Sequence, residues 1–345
     1  MELEAIILRN GSPITRKDFA ELLESFEGEL VKDPCTNQAV GKDLGEVVIK
    51  SDTTSAILEI SLRPKKDFQD LVEQAFNVLD EVKERGFEVY DKAYYPNPGR
   101  RWYLRNATPR GHYRLLHWYG YSHWEIATMA SSQIWLDVKD LPEALSAINA
   151  WSPVLLKRFW NSPFNGWREY RVKAWIDFSK TSWATPPLTW APKTFSTWEE
   201  VLWDILSGSL QEAEPCKDLS ALKLEELAEA YYVGEIFARD VNMALTKAKR
   251  EEVSEGMQRW VFRPAIARWK GTPSPSSFKD LLNGNAKTFF NSVEKLMIEV
   301  RFLPFLPKER LSEAFEALME ALDRGPREVE DKRLIYEYLK AARPT

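Results

Sequence analysis

Met297-Ile298-Glu299-Val300-Arg301-Phe302-Leu303 is an apolar run interrupted by one acid and one base, two positions apart. Alternate residues of a β-strand share a face, so this spacing predicts Ile298, Val300 and Phe302 in a core and Glu299 and Arg301 side by side on the opposite face. Taken alone, the pair reads as a surface salt bridge on an amphipathic strand. It gains weight because single polar residues recur in the same way on other apolar stretches of the chain.

Working outward, Glu2-Leu3-Glu4-Ala5-Ile6-Ile7-Leu8 reads as a strand with Glu2 and Glu4 on one face, closed by the turn dipeptide Asn10-Gly11. Two further strands, 46–50 and 56–62, are joined by Ser51-Asp52-Thr53-Thr54, and Glu59 is the lone charge of the second. Ser131 to Val138 alternates with Gln133, Trp135 and Asp137 on one side. Between these strands lie helical periodicities. One runs from a Thr15 cap through Phe19, Leu22, Leu23 and Phe26, and another spans 67–85 up to Gly86. Further helices are expected at 141–151, at 308–323 and at 327–342, with one more leading into the strand at 297–303. Strand pairs alternating with helices predict an α+β fold, helices packed on one face of a largely antiparallel sheet.

The composition shifts beyond Thr197. Residues 218–260 read as charged amphipathic helices with a solvated outer face, and 271–277, rich in Pro and Ser, reads as a linker. These shifts divide the chain into an α+β domain made of 1–206 with 258–345, and a helical insertion at 207–257. The Pro-, Thr- and Trp-rich stretch 181–198 suggests an ordered lid or binding loop. The many Trp residues from Trp151 to Trp203 suit either a bulky pocket or a large core, with core the default.

With 345 residues and 44% hydrophobic content, the chain is long enough for a substantial core. A formal charge of -5 offers no global attraction to nucleic acid or to an anionic membrane. The local exception is 94–121, where arginines interleave with Trp and Tyr in a mixture that suits phosphates and stacked bases. Against the acidic whole, nucleic acid is set aside as a partner. His112, His117 and His123 also lie there, at gaps that do not share a helical face, and read as solvent or core residues rather than as a metal site. Two cysteines, Cys35 and Cys216, in no metal-like spacing, and an acidic amino terminus suggest a cytoplasmic protein. No apolar run approaches the roughly 20 residues of a membrane span.

The strand faces together offer Glu2, Glu4, Glu59, Gln133 and Glu299, with Arg301 beside them. Carboxylates gathered on one sheet repel unless cations sit among them. Mg²⁺ prefers oxygen ligands and is commonly shared between a few carboxylates and nucleotide phosphates, so the pattern points to a metal-nucleotide site on one sheet face.

Several segments resemble a known family. Glu2-Leu3-Glu4 is similar to the Glu-x-Glu first strand of glutamate-cysteine ligases and related carboxylate-amine ligases of the glutamine synthetase-like superfamily. Asp52-Thr53-Thr54-Ser55-Ala56-Ile57-Leu58-Glu59 resembles their Asp-Ile-Thr-Glu-x-x-Leu-Glu segment, and Thr108-Pro109-Arg110-Gly111-His112-Tyr113 their Pro-Arg segment. Gln133-Ile134-Trp135 lies where the family has Gln-x-His. Ser162-Pro163-Phe164-Asn165-Gly166 with Arg171 resembles its Ser-Pro-Phe…Asn-Gly loop, and Ile298-Glu299-Val300-Arg301 its late Glu-Val-Arg strand.

The resemblance implies a curved, largely antiparallel sheet with helices on the convex face, binding ATP with Mg²⁺, for which Mn²⁺ can substitute. It implies an acyl phosphate formed on a glutamate-like acid and displaced by an amine, with a homo-oligomer as one option for assembly. Glu2, Glu4, Glu59 and Glu299 carry over as metal ligands and Asp52 as a neighbour of the metal-phosphate cluster. Arg301 carries over as the stabiliser of the transferring phosphoryl group. Arg110, Arg171, Arg263 and Gln133 carry over to nucleotide or substrate. Trp135 replaces a metal-binding His and Ser55 a Glu, which motivates an alternative: a non-catalytic relative that binds nucleotide as a sensor or scaffold.

Overall fold

The computed structural model describes residues 1–33, 36–96, 98–110, 127–181, 191–201, 267–272, 285–292 and 294–343. The proposed insertion 207–257, Arg263, the three histidines and both cysteines lie outside them. In chain order the strands are β1 (Glu2–Arg9), β2 (Ser12–Pro13), β3 (Glu29–Lys32), β4 (Ala39–Asp43), β5 (Val47–Ser51), β6 (Ile57–Leu62), β7 (Glu88–Val89), β8 (Ser132–Asp137), β9 (Ala267–Thr272) and β10 (Glu294–Val300). The helices are α1 (Arg16–Ser25), α2 (Phe68–Glu84), α3 (Arg100–Asn106), α4 (Leu141–Arg158), α5 (Tyr170–Thr181), α6 (Ala286–Asn291), α7 (Lys308–Arg324) and α8 (Asp331–Ala342).

The strands form one sheet in the order β3-β4-β5-β6-β1-β8-β10-β9, with β2 and β7 pairing β1 off this path. Every pairing between these strands is antiparallel, so the expected α+β class with a largely antiparallel sheet holds. The amino-terminal strand sits mid-sheet, flanked by β6 and β8.

Local chemistry explains the elements. Asn10 and Gly11 both adopt positive φ, 53° and 71°, giving a two-residue hairpin that pairs Arg9 with Ser12. Thr15 caps α1 in a capping box with Asp18, and Asp67 caps α2 through the Gln69 amide. Leu3, Ala5, Leu58, Ile60, Ile134, Ile298 and Val300 are buried in one continuous core. The helices α2 and α4 pack against sheet strands, while α7 packs against both α2 and α4 and α8 against α4. Phe68 of α2 and Phe315 of α7 stack with centroids 3.9 Å apart.

Two expectations are corrected. The helix expected to end near Trp151 runs on to Arg158 through Pro153. Proline lacks the N–H that would bond the carbonyl four residues back, and Ser152 Oγ donates to that Asn149 carbonyl instead, at 2.7 Å. Gly271 and Thr272, expected in a linker, end β9, which pairs β10. Short or glycine-interrupted strands such as β3 and β4 have no alternation strong enough to be read from sequence.

Candidate functional site

The register of the sheet puts the isolated polar residues on one face. Glu4 stands opposite Glu59, which stands opposite Lys50. Glu2 stands opposite Ser61 on one side and Gln133 on the other. Trp135 stands opposite Glu299, and Arg268 is the backbone partner of Glu299 across β9. The side chains of Glu2, Glu4, Lys50, Glu59, Ser61, Gln133, Trp135 and Glu299 therefore share one face, bringing segments up to 297 residues apart in sequence onto one surface.

Two groups of hydrogen bonds lie along this face, one around Glu59 and one from Glu4 to Glu299. Lys50 Nζ and Ser61 Oγ donate to Glu59 Oε1 at 3.0 and 2.9 Å, and Arg110 Nη1 donates to Glu59 Oε2 at 2.6 Å. Asp52 lies 3.6 Å from the same guanidinium. Next along, Glu4 accepts from Ser131 Oγ and Gln133 Nε2, both at 2.7 Å. Arg301 Nη1 donates to Gln133 Oε1 at 2.8 Å and to Glu299 Oε2 at 3.0 Å, and Trp135 Nε1 donates to Glu299 Oε1 at 3.1 Å. Glu4, Glu59 and Glu299 keep only 8, 4 and 1% of their exposure, so these are desolvated charges whose partners decide their state.

The loops explain how Arg110 reaches the sheet. The turn after β5 is clasped to the segment after α3: Thr108 N donates to Thr53 O, Ser55 N to Asn106 O, and Ser51 Oγ shares a 2.7 Å hydrogen bond with Thr108 Oγ1. That clasp holds Arg110 over Glu59. Ser55, which stands where the resembling family has Glu, is buried and its hydroxyl donates to Asn106 O, a structural bond within the clasp.

The carboxylates titrate differently. Burial raises Glu4 well above the ordinary value of 4.5, reinforced by Asp52 and Glu2 and opposed by Ser131 and Arg301. Burial also favours neutral Glu59, but Arg110 and Lys50 outweigh it and hold the carboxylate far below its ordinary range. Arg301 loses hydration by burial, yet Glu299, Glu2 and Glu4 hold it firmly protonated.

Arg171 belongs to a second cluster. Its Nη1 donates to Phe302 O at 3.3 Å and lies 3.9 Å from buried Glu169, which accepts from Ser162 Oγ at 2.5 Å and Asn161 N at 3.1 Å. Asn165 and Gly166, with φ of 45° and 76°, turn the loop so that Phe164 and Trp167 exchange backbone bonds. This cluster joins the loop to the segment after β10 at Phe302, the residue that follows Arg301.

Carboxylate and amide oxygens are the right donors for a hard cation. Their arrangement, however, is a salt-bridge network: among the described residues no group of three or more Asp, Glu, His or Cys is placed to hold a metal. Sequence reasoning missed Lys50, Ser61 and Ser131. The signal for Lys50 was present, because a hairpin through Asp52 and Thr54 brings it opposite Glu59; the alternation of a five-residue strand was too short to fix that register.

Neither a scan against models of known protein families nor a search of curated proteins finds a match to this chain. Among the described residues no helix is long and apolar enough to cross a membrane.

Proposed function

We propose that this face is the nucleotide site of an ATP-dependent carboxylate-amine ligase of the glutamate-cysteine ligase type. One observation carries the reading: Glu4, Glu59, Gln133, Glu299 and Arg301, drawn from four separate strand segments, fall on a single sheet face, with Glu4, Gln133, Arg301 and Glu299 in one bonded row and Glu59 directly across from Glu4. Among these carboxylates Glu59 lies against Lys50 and Arg110, Asp52 against Arg110 and Glu299 against Arg301. The carboxylates of Glu2 and Glu4 suit an incoming divalent ion, which arrives with ATP as part of the substrate.

In the proposed reaction a carboxylate oxygen of a glutamate-like acid attacks the γ-phosphorus, releasing ADP and leaving an acyl phosphate. An amine then adds to the acyl carbon, phosphate departs and an amide remains. Arg301 supplies fixed positive charge to the phosphoryl oxygens, and the planar fork of Arg110 suits a phosphate or carboxylate. The sheet in this reading is the curved sheet of that superfamily, with helices on its convex face.

The test is phosphate release from ATP by the full chain. It is expected to require an acid, an amine and Mg²⁺ together, and failure of ATP to raise the melting temperature under any of these conditions removes the reading.

The Trp135 bond to Glu299 favours a second reading, a non-catalytic nucleotide-binding relative. Indole has no metal-binding lone pair, and here it occupies one oxygen of Glu299. ATP raising the melting temperature with no amine-dependent turnover decides for this alternative.

A further inference from the structure

Both oxygens of Glu59 receive a cationic donor, Lys50 on Oε1 at 3.0 Å and Arg110 on Oε2 at 2.6 Å. The position of Lys50 is built into the sheet. Its backbone pairs with Glu59 on one side and with Gly41 on the other. A Cβ at position 41 would fall 2.7 Å from Lys50 Cγ and 2.1 Å from Ile49 O, so glycine there leaves room for the lysine stem. The ammonium lies against a carboxylate that is nearly sealed from solvent, with side-chain exposures of 25% for Lys50 and 5% for Glu59.

We propose that Lys50 is a built-in counter-cation for Glu59, filling the place a divalent ion would take there, so that Glu59 anchors Lys50 and Arg110 rather than ligating metal. The inference rests on the reading of this face as a phosphate and metal site, and it narrows that reading by confining any divalent ion to the Glu2, Glu4 and Glu299 end. The physical reason is competition. An ion entering at Glu59 must displace a tethered ammonium from Oε1 and bring two positive charges beside the guanidinium on Oε2. Like charges at that separation repel strongly in a poorly hydrated site.

The experiment counts Mn²⁺ bound per full-length chain by the electron paramagnetic resonance signal of free Mn²⁺. Glu59→Gln in the wild-type background is expected to leave the number of bound ions unchanged. Lys50→Met is expected to bind one ion more than wild type, Lys50→Arg to match wild type, and Lys50→Met combined with Glu59→Gln to lose the extra ion. Loss of an ion in Glu59→Gln, or no gain in Lys50→Met, overturns the proposal. Lys50→Gln replaces Lys50→Met if the latter does not fold, and Glu59→Gln decides by itself if neither does. ATP-induced stabilisation of the wild type is measured separately, so a chain that gains an ion in Lys50→Met but never responds to ATP refutes the ligase reading and leaves the counter-cation standing.

Discussion

Glu4 and Glu59 stand directly opposite one another on adjacent strands, yet their surroundings drive them to opposite protonation preferences. Glu59 is clamped between Lys50 and Arg110, whereas Glu4 takes neutral donors from Ser131 and Gln133 and faces the fields of Asp52 and Glu2. A raised folded pKa favours the protonated fold. The contribution of Glu4 is therefore complete below the unfolded value near 4.5 and is lost as pH rises through the folded value. Glu4→Gln, permanently neutral and able to accept from Gln133 Nε2 while its own amide donates to Ser131 Oγ, is expected to melt above the wild type at pH 8. The difference should shrink on acidification and vanish near pH 4.5, and a melting series across that range measures it.

Glu59 has the opposite sign. Its depressed pKa gives stability that is present above the ordinary value of 4.5 and lost as pH falls towards the folded value. Glu59→Gln leaves Lys50 and Arg110 without their counter-charge and is expected to cost about 3 kcal/mol at pH 7 in urea denaturation. That deficit should diminish below pH 4.5, where the carboxylate of the unfolded wild type takes up a proton that the folded one still refuses.

Gly41→Ala tests the sheet geometry that places Lys50. The added methyl would meet the Ile49 carbonyl at 2.1 Å and Lys50 Cγ at 2.7 Å, so β4 must shift away from β5. The expected cost is about 2 kcal/mol, within the range of overpacking changes. Urea denaturation monitored by circular dichroism reads it.

Trp135→Phe keeps the ring against β10 and removes the indole N–H from Glu299. Loss of one hydrogen bond to a charged group predicts destabilisation of about 1.5 kcal/mol. Trp135→His instead introduces the imidazole that the resembling family carries at this place, opposite Glu299. It is expected to bind Mn²⁺ more tightly than the wild type in isothermal titration.

Arg301→Lys keeps the charge beside Glu299 and Gln133 but loses the planar fork. Under the ligase reading, phosphate release should fall by about a hundredfold, the usual effect of removing one preorganised transition-state donor. The ATP-induced rise in melting temperature should persist. Equal loss of both would make Arg301 a ground-state binding residue only.

The strong local codes were legible in the sequence. Alternation marked β1, β6 and β8, Asn10-Gly11 marked the first hairpin, and Thr15 marked the start of α1. For the same reason Glu4, Glu59, Gln133 and Glu299 were identifiable as polar residues on apolar strands. Period and turn chemistry are properties of neighbouring residues, and they survive in the chain before it folds. The continuation of α4 beyond Trp151 was not legible for a complementary reason: the bond that stands in for the one Pro153 cannot make comes from Ser152, whose ability to take the Asn149 carbonyl shows only in the helical geometry.

What the sequence by itself determined is therefore which residues of each strand share a face. Tertiary structure alone decided which strands are neighbours, and with that the charge state of the site. Glu59 became an anchored anion because register places Lys50 opposite it and the clasp after α3 lowers Arg110 onto it. Glu4, one strand over, became a carboxyl that resists ionisation because burial and the fields of Asp52 and Glu2 outweigh its bond from Ser131 and the field of Arg301. A Coulomb interaction depends on separation and local polarity, and neither exists until segments distant in sequence have packed together.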